Sequence, residues 1–179
     1  MSATKKFSQH CFKDNDTLGK NAGVLHLCTE DDVTRIWVNT GRTGVDLSFQ
    51  RKDGTTGTLE CEVKRGWAGG PFPYDTIQAL SRKRKFFEAG ADWILVSDNR
   101  QDYLVISGAD VLASPLQEVR NQYVLAGELF YQVPVAKAKF YKFGLPLYEL
   151  PFDCADCTST VIDCSDPKFI CCGMCGRER

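Results

Sequence analysis

The chain contains 179 residues, of which 43% are hydrophobic and 25% charged, and its formal net charge is −1. This length buries one sizeable core with room for a small appendage, and the near-zero charge gives no global signature of nucleic-acid binding. No apolar run approaches the ~18 residues of a membrane span. The N-terminal sequence lacks the apolar core of a signal peptide, so we expect a cytoplasmic protein with no membrane partner and with reduced cysteines.

The first half of the chain predicts a helix followed by two strands. The helix spans about residues 29–39, with Thr29 as its N-cap and Gly41 as its stop signal. The strands span about 43–51 and 57–65, because apolar and polar residues alternate in both.

The second half predicts the remaining elements of an α/β core. A Gly/Pro-rich loop follows the two strands, and continuous apolar runs further on are typical of strands buried on both faces. A strand that contains proline is expected at a sheet edge. The elements are a helix at 74–89, strands at 93–96 and 103–106, a helical turn at 109–113 and the proline-containing strand at 128–135. We divide the chain into a core of residues 1–150 and a small segment of residues 151–179.

The two predicted strands place carboxylates opposite each other. Asp46 lies on the polar face of the first strand, and Glu62 and Lys64 lie on the polar face of the second. A hairpin about Gly54 sets Asp46 opposite Glu62; a slide by one residue pair preserves the alternation, whereas a slide by one residue does not. Like charges directly opposite each other destabilise a sheet, and a divalent cation between them would remove that penalty.

These residue types suit a magnesium site that acts on phosphate. Mg²⁺ takes oxygen ligands, typically one or two carboxylates with phosphate and water completing the shell. Asp46 and Glu62 supply two such oxygens, and the carbonyl of Val63 is a candidate third. Lys64 points to the same side, where it would hold the attacking water or stabilise charge on the phosphate. The alternative is a solvated sheet face, because a Glu-x-Lys triplet is common by chance.

An acid on one strand, a hairpin loop and Glu-x-Lys on the next resemble the PD-(D/E)xK nuclease superfamily. The stretch 59–64, Leu-Glu-Cys-Glu-Val-Lys, is especially similar to the catalytic strand of Holliday-junction resolvases. The resemblance covers about residues 25–110 and departs at Val45, where the family motif has proline. It implies a restriction-endonuclease-like mixed central sheet flanked by helices, and a DNA endonuclease that uses Mg²⁺ or Mn²⁺.

The resemblance also implies roles for particular residues. Asp46, Glu62 and Lys64 carry over as the catalytic set. A further acid on the preceding helix is frequent in the family, and Glu30 or its acidic neighbour fills that role here, unless both belong only to a negatively charged first helical turn. Some members place a glutamine on the helix after the motif to orient DNA or water, which makes Gln78 a secondary candidate; plain surface exposure is the alternative.

The densest basic run lies in the second predicted helix, at residues 82–85. Beside a metal site such a run would neutralise backbone phosphates independently of base sequence; the alternative is a solvated helix face. A tryptophan in the preceding loop would stack on bases, unless it packs under the loop. The expected DNA contacts are Arg65, Trp67, Arg82, Lys83, Arg84 and Lys85, together with Lys5 and Lys6.

The C-terminal cysteines form a separate motif. Cys154-x-x-Cys157 and Cys172-x-x-Cys175, with 14 residues between them, have the spacing of a four-cysteine Zn²⁺ site. Cys171 competes with Cys172 for one ligand position. A closed site of this kind is structural, and it would brace the C-terminus or a homodimer contact. The alternative is a set of oxidisable thiols.

Together these patterns predict a Mg²⁺-dependent DNA endonuclease with a structural zinc segment. The leading alternative is a zinc-stabilised nucleic-acid-binding protein on the same fold without catalysis. The form of the substrate stays open among duplex, single-stranded and branched DNA and RNA, as does the number of subunits.

Overall fold

A computed structural model describes residues 9–40, 44–121, 124–143, 161–163 and 171–172. Over these ranges the protein is α/β, with three α-helices, short 3-10 helices and two sheets. None of the helices within them is long and apolar enough to cross a membrane. The helices are α1 (Gln9–Cys28), α2 (Arg84–Glu88) and α3 (Gly108–Leu112), and 3-10 helices span Ser81–Lys83 and Val135–Lys137. The strands are β1 (Val33–Val38), β2 (Leu47–Arg51), β3 (Thr56–Lys64), β4 (Thr76–Leu80), β5 (Asp92–Ser97), β6 (Asp102–Ile106), β7 (Leu116–Asn121), β8 (Val124–Pro134), β9 (Lys139–Lys142), β10 (Val161–Asp163) and β11 (Cys171–Cys172).

The larger sheet is mixed. Its strand order is β11-β10-β1-β2-β3-β5-β6-β9, and the smaller sheet has the order β4-β8-β7. Strands β1, β2 and β3 form an antiparallel meander, whereas β3 and β5 are parallel. The C-terminal ends of β3 and β5 therefore meet at one edge of the sheet. Strands β10 and β11, from the C-terminal segment, extend the same sheet beyond β1.

The hairpin of β2 and β3 has a register that differs from the predicted one by one residue pair. Leu47 pairs with Leu59, and continuing this ladder by one position sets Asp46 opposite Glu60. The prediction that Asp46 faces Glu62 is therefore wrong. The alternation of faces was predicted correctly, because a shift by two residues keeps every side chain on its own side.

The turn between β2 and β3 explains the shift. The amide of Arg51 donates to the carbonyl of Thr55 at 2.8 Å, which centres the turn on Asp53. The Asp53 carboxylate accepts the Thr55 amide at 2.9 Å and the Thr55 hydroxyl at 2.7 Å. Gly54 adopts φ 84°, a left-handed conformation that glycine adopts without strain. These local bonds select the turn, and the turn sets the register.

The helix predicted at 29–39 is wrong: this stretch contains β1. Its β-branched residues and its pairing with β2 outweigh the apparent helical spacing of its apolar residues. The helix lies earlier, as α1, and Thr29 caps its C-terminal end instead of an N-terminus. The Thr29 hydroxyl and amide both donate to the carbonyl of His26, at 2.7 and 3.0 Å.

The helix predicted at 74–89 is mostly wrong as well. It divides into β4, the 3-10 helix Ser81–Lys83 and the short helix α2, which Gly90 follows at φ 87°. Ile77 and Ala79 alternate with half-buried neighbours, as a strand requires. The strand predicted at 128–135 exists as β8, but it is central in its described sheet; Pro134 ends it, where a missing amide costs little.

Two apolar clusters cover the two faces of the larger sheet. On β3, Leu59, Cys61 and Val63 point toward the cluster that contains α1. The other cluster holds the residues of β4, α2, α3 and β8, and Trp93 and Leu95 of β5 belong to it. Because side chains alternate, the polar side chains of β3 lie on this second face, beside the segment that begins α2. In β5, residues 93–96 are all buried, which confirms the prediction of a strand covered on both faces.

Close packing of α1 on the hairpin gives a stability test. A Cβ atom at Gly23 would lie 2.6 Å from the Leu47 side chain and 2.7 Å from the Cys61 sulfur. Gly23→Val should therefore lower the free energy of unfolding by about 1–3 kcal/mol, measured by urea denaturation. Gly44→Val is the matched control, because no atom of the described residues, apart from the chain neighbours of Gly44, lies within 4 Å of a Cβ there. Equal stability of the two variants would contradict this packing.

Candidate active site

Asp46 lies just before β2, and its side chain is turned against β3. Its Oδ2 atom accepts a hydrogen bond from the Cys61 amide at 2.8 Å, and its Oδ1 atom lies 3.7 Å from the Lys20 ammonium. Burial raises the pKa of Asp46, while the Cys61 amide and the Lys20 charge oppose the increase. The carboxylate is therefore fixed in position but incompletely compensated for its loss of water.

Glu60 and Glu62 share one cation. The ammonium of Lys83, at the end of the 3-10 helix, lies 2.9 Å from Glu60 Oε1 and 3.1 Å from Glu62 Oε2. Burial acts to lower the pKa of Lys83, but the attraction of the two carboxylates outweighs burial and holds this pKa well above its ordinary value. Lys83 is therefore a fixed positive charge between two acids.

Among these acids, Glu60 has the least complete set of hydrogen-bond partners. Its side chain is 7% exposed, and its Oε2 atom is buried without a hydrogen-bond partner in the described part of the chain. Burial raises the pKa of Glu60, and the nearby Asp46 adds to the increase, whereas Lys83 opposes it. The pKa values of Glu60 and Lys83 are thus both raised, for different reasons: Lys83 has two anionic partners, whereas Glu60 has only one of its oxygens paired. Glu60 Oε2 therefore has no hydrogen-bond donor among the described residues, although Lys83 contacts the other oxygen of the same carboxylate.

Helix α1 supplies a second lysine that the sequence analysis did not identify. Lys20 is nearly buried and lies 2.8 Å from Asp16, one helical turn earlier, as well as near Asp46. The signal was present as an acid and a lysine at i and i+4, but no helix was predicted there. The cluster defined by Asp16, Asp46, Glu60 and Glu62 with Lys20 and Lys83 is hereafter the carboxylate–lysine cluster.

The predicted catalytic residues of β3 occupy different positions relative to this cluster. Lys64 is the last residue of β3, pairs with Ser97 of β5 and lies on the same face as Glu60 and Glu62. The cation that contacts these two carboxylates is nevertheless Lys83. Val63 points to the opposite face and packs against the α1 side of the core.

Glu30 and Gln78 are not part of the cluster. Glu30 lies 3.9 Å from His26 in the turn after α1, at the sheet end where Val33 pairs with Arg51, away from Asp46. Glu30 therefore lies neither on a helix nor beside Asp46, where the resemblance would place the additional acid. Gln78 lies on β4 in the smaller sheet instead of on a helix, and within the described ranges no hydrogen bond joins its side chain to the carboxylates.

Two residues that were predicted to contact DNA, Trp67 and Lys83, have side chains that point into the protein. Trp67 is 1% exposed and its ring packs edge-on against Phe72 and Phe140, so it is not available to stack on bases. Lys83 points inward to its two acids. Of the remaining run, Arg84 pairs with Glu88 at 2.7 Å and Lys85 lies over the Phe86 ring. Arg65, which follows Lys64, and Arg82, which precedes Lys83, are also exposed.

The predicted zinc ligands Cys154, Cys157 and Cys175 lie outside the described residues, as do Lys5 and Lys6. Cys171 and Cys172 form β11, whose backbone pairs with β10. Within the ranges that the structure describes, no group of three or more His, Cys, Asp or Glu side chains is arranged to hold a metal ion. The zinc site stays a prediction.

No protein-family model, curated protein or solved structure matches the chain. The functional interpretation therefore rests on the carboxylate–lysine cluster and its surroundings.

Proposed function

We propose that the protein is a Mg²⁺-dependent nuclease that hydrolyses phosphodiester bonds in DNA, with Asp46 and Glu60 as its principal carboxylate pair. The observation that supports this most strongly is the unpartnered Glu60 Oε2 atom, on the residue directly across the hairpin from Asp46. A buried carboxylate oxygen without a donor is costly, and a bound cation supplies the missing interaction. The register therefore favours Glu60 over Glu62 as the partner of Asp46.

The donor set suits magnesium. Mg²⁺ usually binds through one or two carboxylates and keeps several waters, so a cluster of three protein ligands is not required. Burial raises the pKa values of both Asp46 and Glu60, because it disfavours their charged forms. A cation bound between them would stabilise the ionised form of both acids. When bound, Mg²⁺ supplies charge stabilisation at phosphate and a more acidic water.

Residues of the chain would stabilise charge, position the carboxylates and bind the neighbouring phosphates. Lys83 would stay protonated between Glu60 and Glu62. From there its fixed positive charge would stabilise negative charge that develops at a bound phosphate, without contacting the phosphate directly. Glu62 holds Lys83 in place, and Lys20 holds Asp46. Exposed Arg65 and half-buried Lys64, at the end of β3, would bind the neighbouring backbone phosphates.

A second candidate function is DNA binding without catalysis, on a zinc-stabilised version of the same fold. The observation that favours it is the pairing of Lys83 with both Glu60 and Glu62, because such networks also occur as purely structural features. A binder of this kind should bind DNA equally with and without Mg²⁺ and should never nick it.

Cleavage of a substrate panel tests the proposal. Wild type should nick supercoiled, single-stranded or branched DNA in Mg²⁺, EDTA should stop the reaction at once, and added Mg²⁺ should restore it. Asp46→Asn should be inactive. Asp75→Asn is the matched control, since Asp75 is an exposed acid just before β4 and takes no part in the hairpin turn. The proposal is contradicted if wild type cleaves no member of the panel, RNA included, or if Asp46→Asn keeps full activity.

A further inference from the structure

The turn between β5 and β6 contains a strained arginine. Arg100 has φ 61°, and within the described ranges it is the only residue other than glycine with a positive φ. Its amide donates to the Ser97 carbonyl at 3.1 Å, which makes it the fourth residue of a β-turn, where glycine is common. A side chain with a Cβ is disfavoured in this conformation.

The turn is maintained by residues other than the Arg100 side chain. The Ser97 hydroxyl lies 2.6 Å from the Asn99 side-chain oxygen and 2.7 Å from the Asp102 carbonyl. The Asn99 amide group donates to the Asp102 carboxylate at 3.0 Å, and the Gln101 backbone amide donates to Asn99 at 2.9 Å. Arg100 itself is exposed, and its guanidinium forms no hydrogen bond, ion pair or ring contact with a described residue. The side chain is therefore not needed to form the turn that strains it.

The turn is also fastened to the segment that follows the proposed catalytic strand. The Gly66 amide donates to the Asp98 carboxylate at 2.7 Å, and the Asp98 amide donates to the Trp67 carbonyl at 2.8 Å. Lys64 and Ser97 are register partners in the parallel pair of β3 and β5. Glu62, the cluster residue nearest this end of β3, pairs with Leu95, five residues before Arg100. With a rise of about 3.3 Å per residue, Arg100 therefore lies within roughly 20 Å of Glu62.

We propose that Arg100 is an anchor for the phosphate backbone of DNA bound at the carboxylate–lysine cluster. This inference rests on the proposed nuclease function and adds a contact beyond it. A guanidinium binds phosphate oxygens through two parallel hydrogen bonds. The hydrogen-bonded turn holds the backbone of Arg100 in place, so the turn itself need not become ordered when DNA binds. Strain at a residue whose side chain makes no internal contact is typical of a position kept for binding.

Salt-dependent DNA affinity tests this role. Binding of a fluorescent duplex would be measured in EDTA, which prevents cleavage, over a series of salt concentrations. Arg100→Gly should flatten the slope of log affinity against log salt by about one unit, while Arg100→Lys should keep the slope. The control Lys52→Gly removes an exposed charge from the turn at the opposite end of β3, and it should also keep the wild-type slope. The melting temperature of Arg100→Gly should be unchanged or higher.

The outcomes separate this inference from the proposed function. A wild-type slope in Arg100→Gly, or a melting temperature several degrees lower, overturns the anchor while leaving DNA cleavage by wild type unaffected. A flattened slope in a protein that never cleaves DNA supports the anchor and overturns the nuclease. Failure of wild type to bind DNA in any salt overturns both.

Discussion

Replacing Lys83 with methionine should lower the free energy of unfolding by about 3–5 kcal/mol at pH 7, because it leaves a buried charge uncompensated. Lys83 is the only described cation within ion-pair distance of Glu60 and Glu62. Methionine keeps much of the length and apolar character of the lysine stem, so the loss reports on charge more than on volume. Urea denaturation at pH 7 measures it, and Arg82→Met, at the exposed neighbouring position, should change stability by less than about 0.5 kcal/mol.

The deficit of Lys83→Met should depend on pH with a definite sign. The pKa of Glu60 is raised in the folded protein above its usual value of 4.5. Glu60 therefore contributes most to stability below pH 4.5, and this contribution is lost as the pH rises through the pKa of Glu60 in the folded protein. The cost of Lys83→Met should shrink as the pH is lowered from 7 toward 4.5, and adding Glu60→Gln should recover part of it at pH 7. A deficit that is absent at pH 7, or constant across this range, would contradict the ion-pair geometry.

Glu60→Gln should abolish Mg²⁺-dependent cleavage, a loss of at least ~10²–10³ in rate, the scale of removing one group that stabilises transition-state charge. Glu62→Gln should cost only about 10- to 100-fold, as expected for a residue that orients Lys83 and does not meet the substrate. Both substitutions keep the size and shape of the side chain. Glu60→Gln should also keep the fold, because burial already favours the neutral form of this carboxyl group.

The face of the sheet on which each side chain of β3 lies could be predicted from the sequence. Alternation of Leu59, Cys61 and Val63 with Glu60 and Glu62 assigned each side chain to the correct face, because only one face can be buried with the core. The register could not be predicted to better than two residues. It depends on the Asp53 bonds to Thr55, which select one turn from several that the sequence allows.

Long-range placement was less predictable. Lys83 joins Glu60 and Glu62 only because residues 76–80 form a strand against β8, and the paired residues are at least fifty positions apart in the sequence. Lys20 was missed because the helix was placed at 29–39, where helical and strand spacing of apolar residues are hard to distinguish over a short run. Trp67 shows the same limit: a loop aromatic packs inward or outward according to neighbours that lie far away in the chain.

The most direct test of the account is the single-turnover cleavage rate of a DNA substrate as a function of Mg²⁺ concentration, for wild type, Glu60→Gln and Glu62→Gln. The pairing of Asp46 with Glu60 predicts that Glu60→Gln stays inactive at every Mg²⁺ concentration, whereas Glu62→Gln cleaves at a reduced rate that saturates as in wild type. Cleavage by Glu60→Gln at the wild-type rate, with Glu62→Gln inactive, would contradict it.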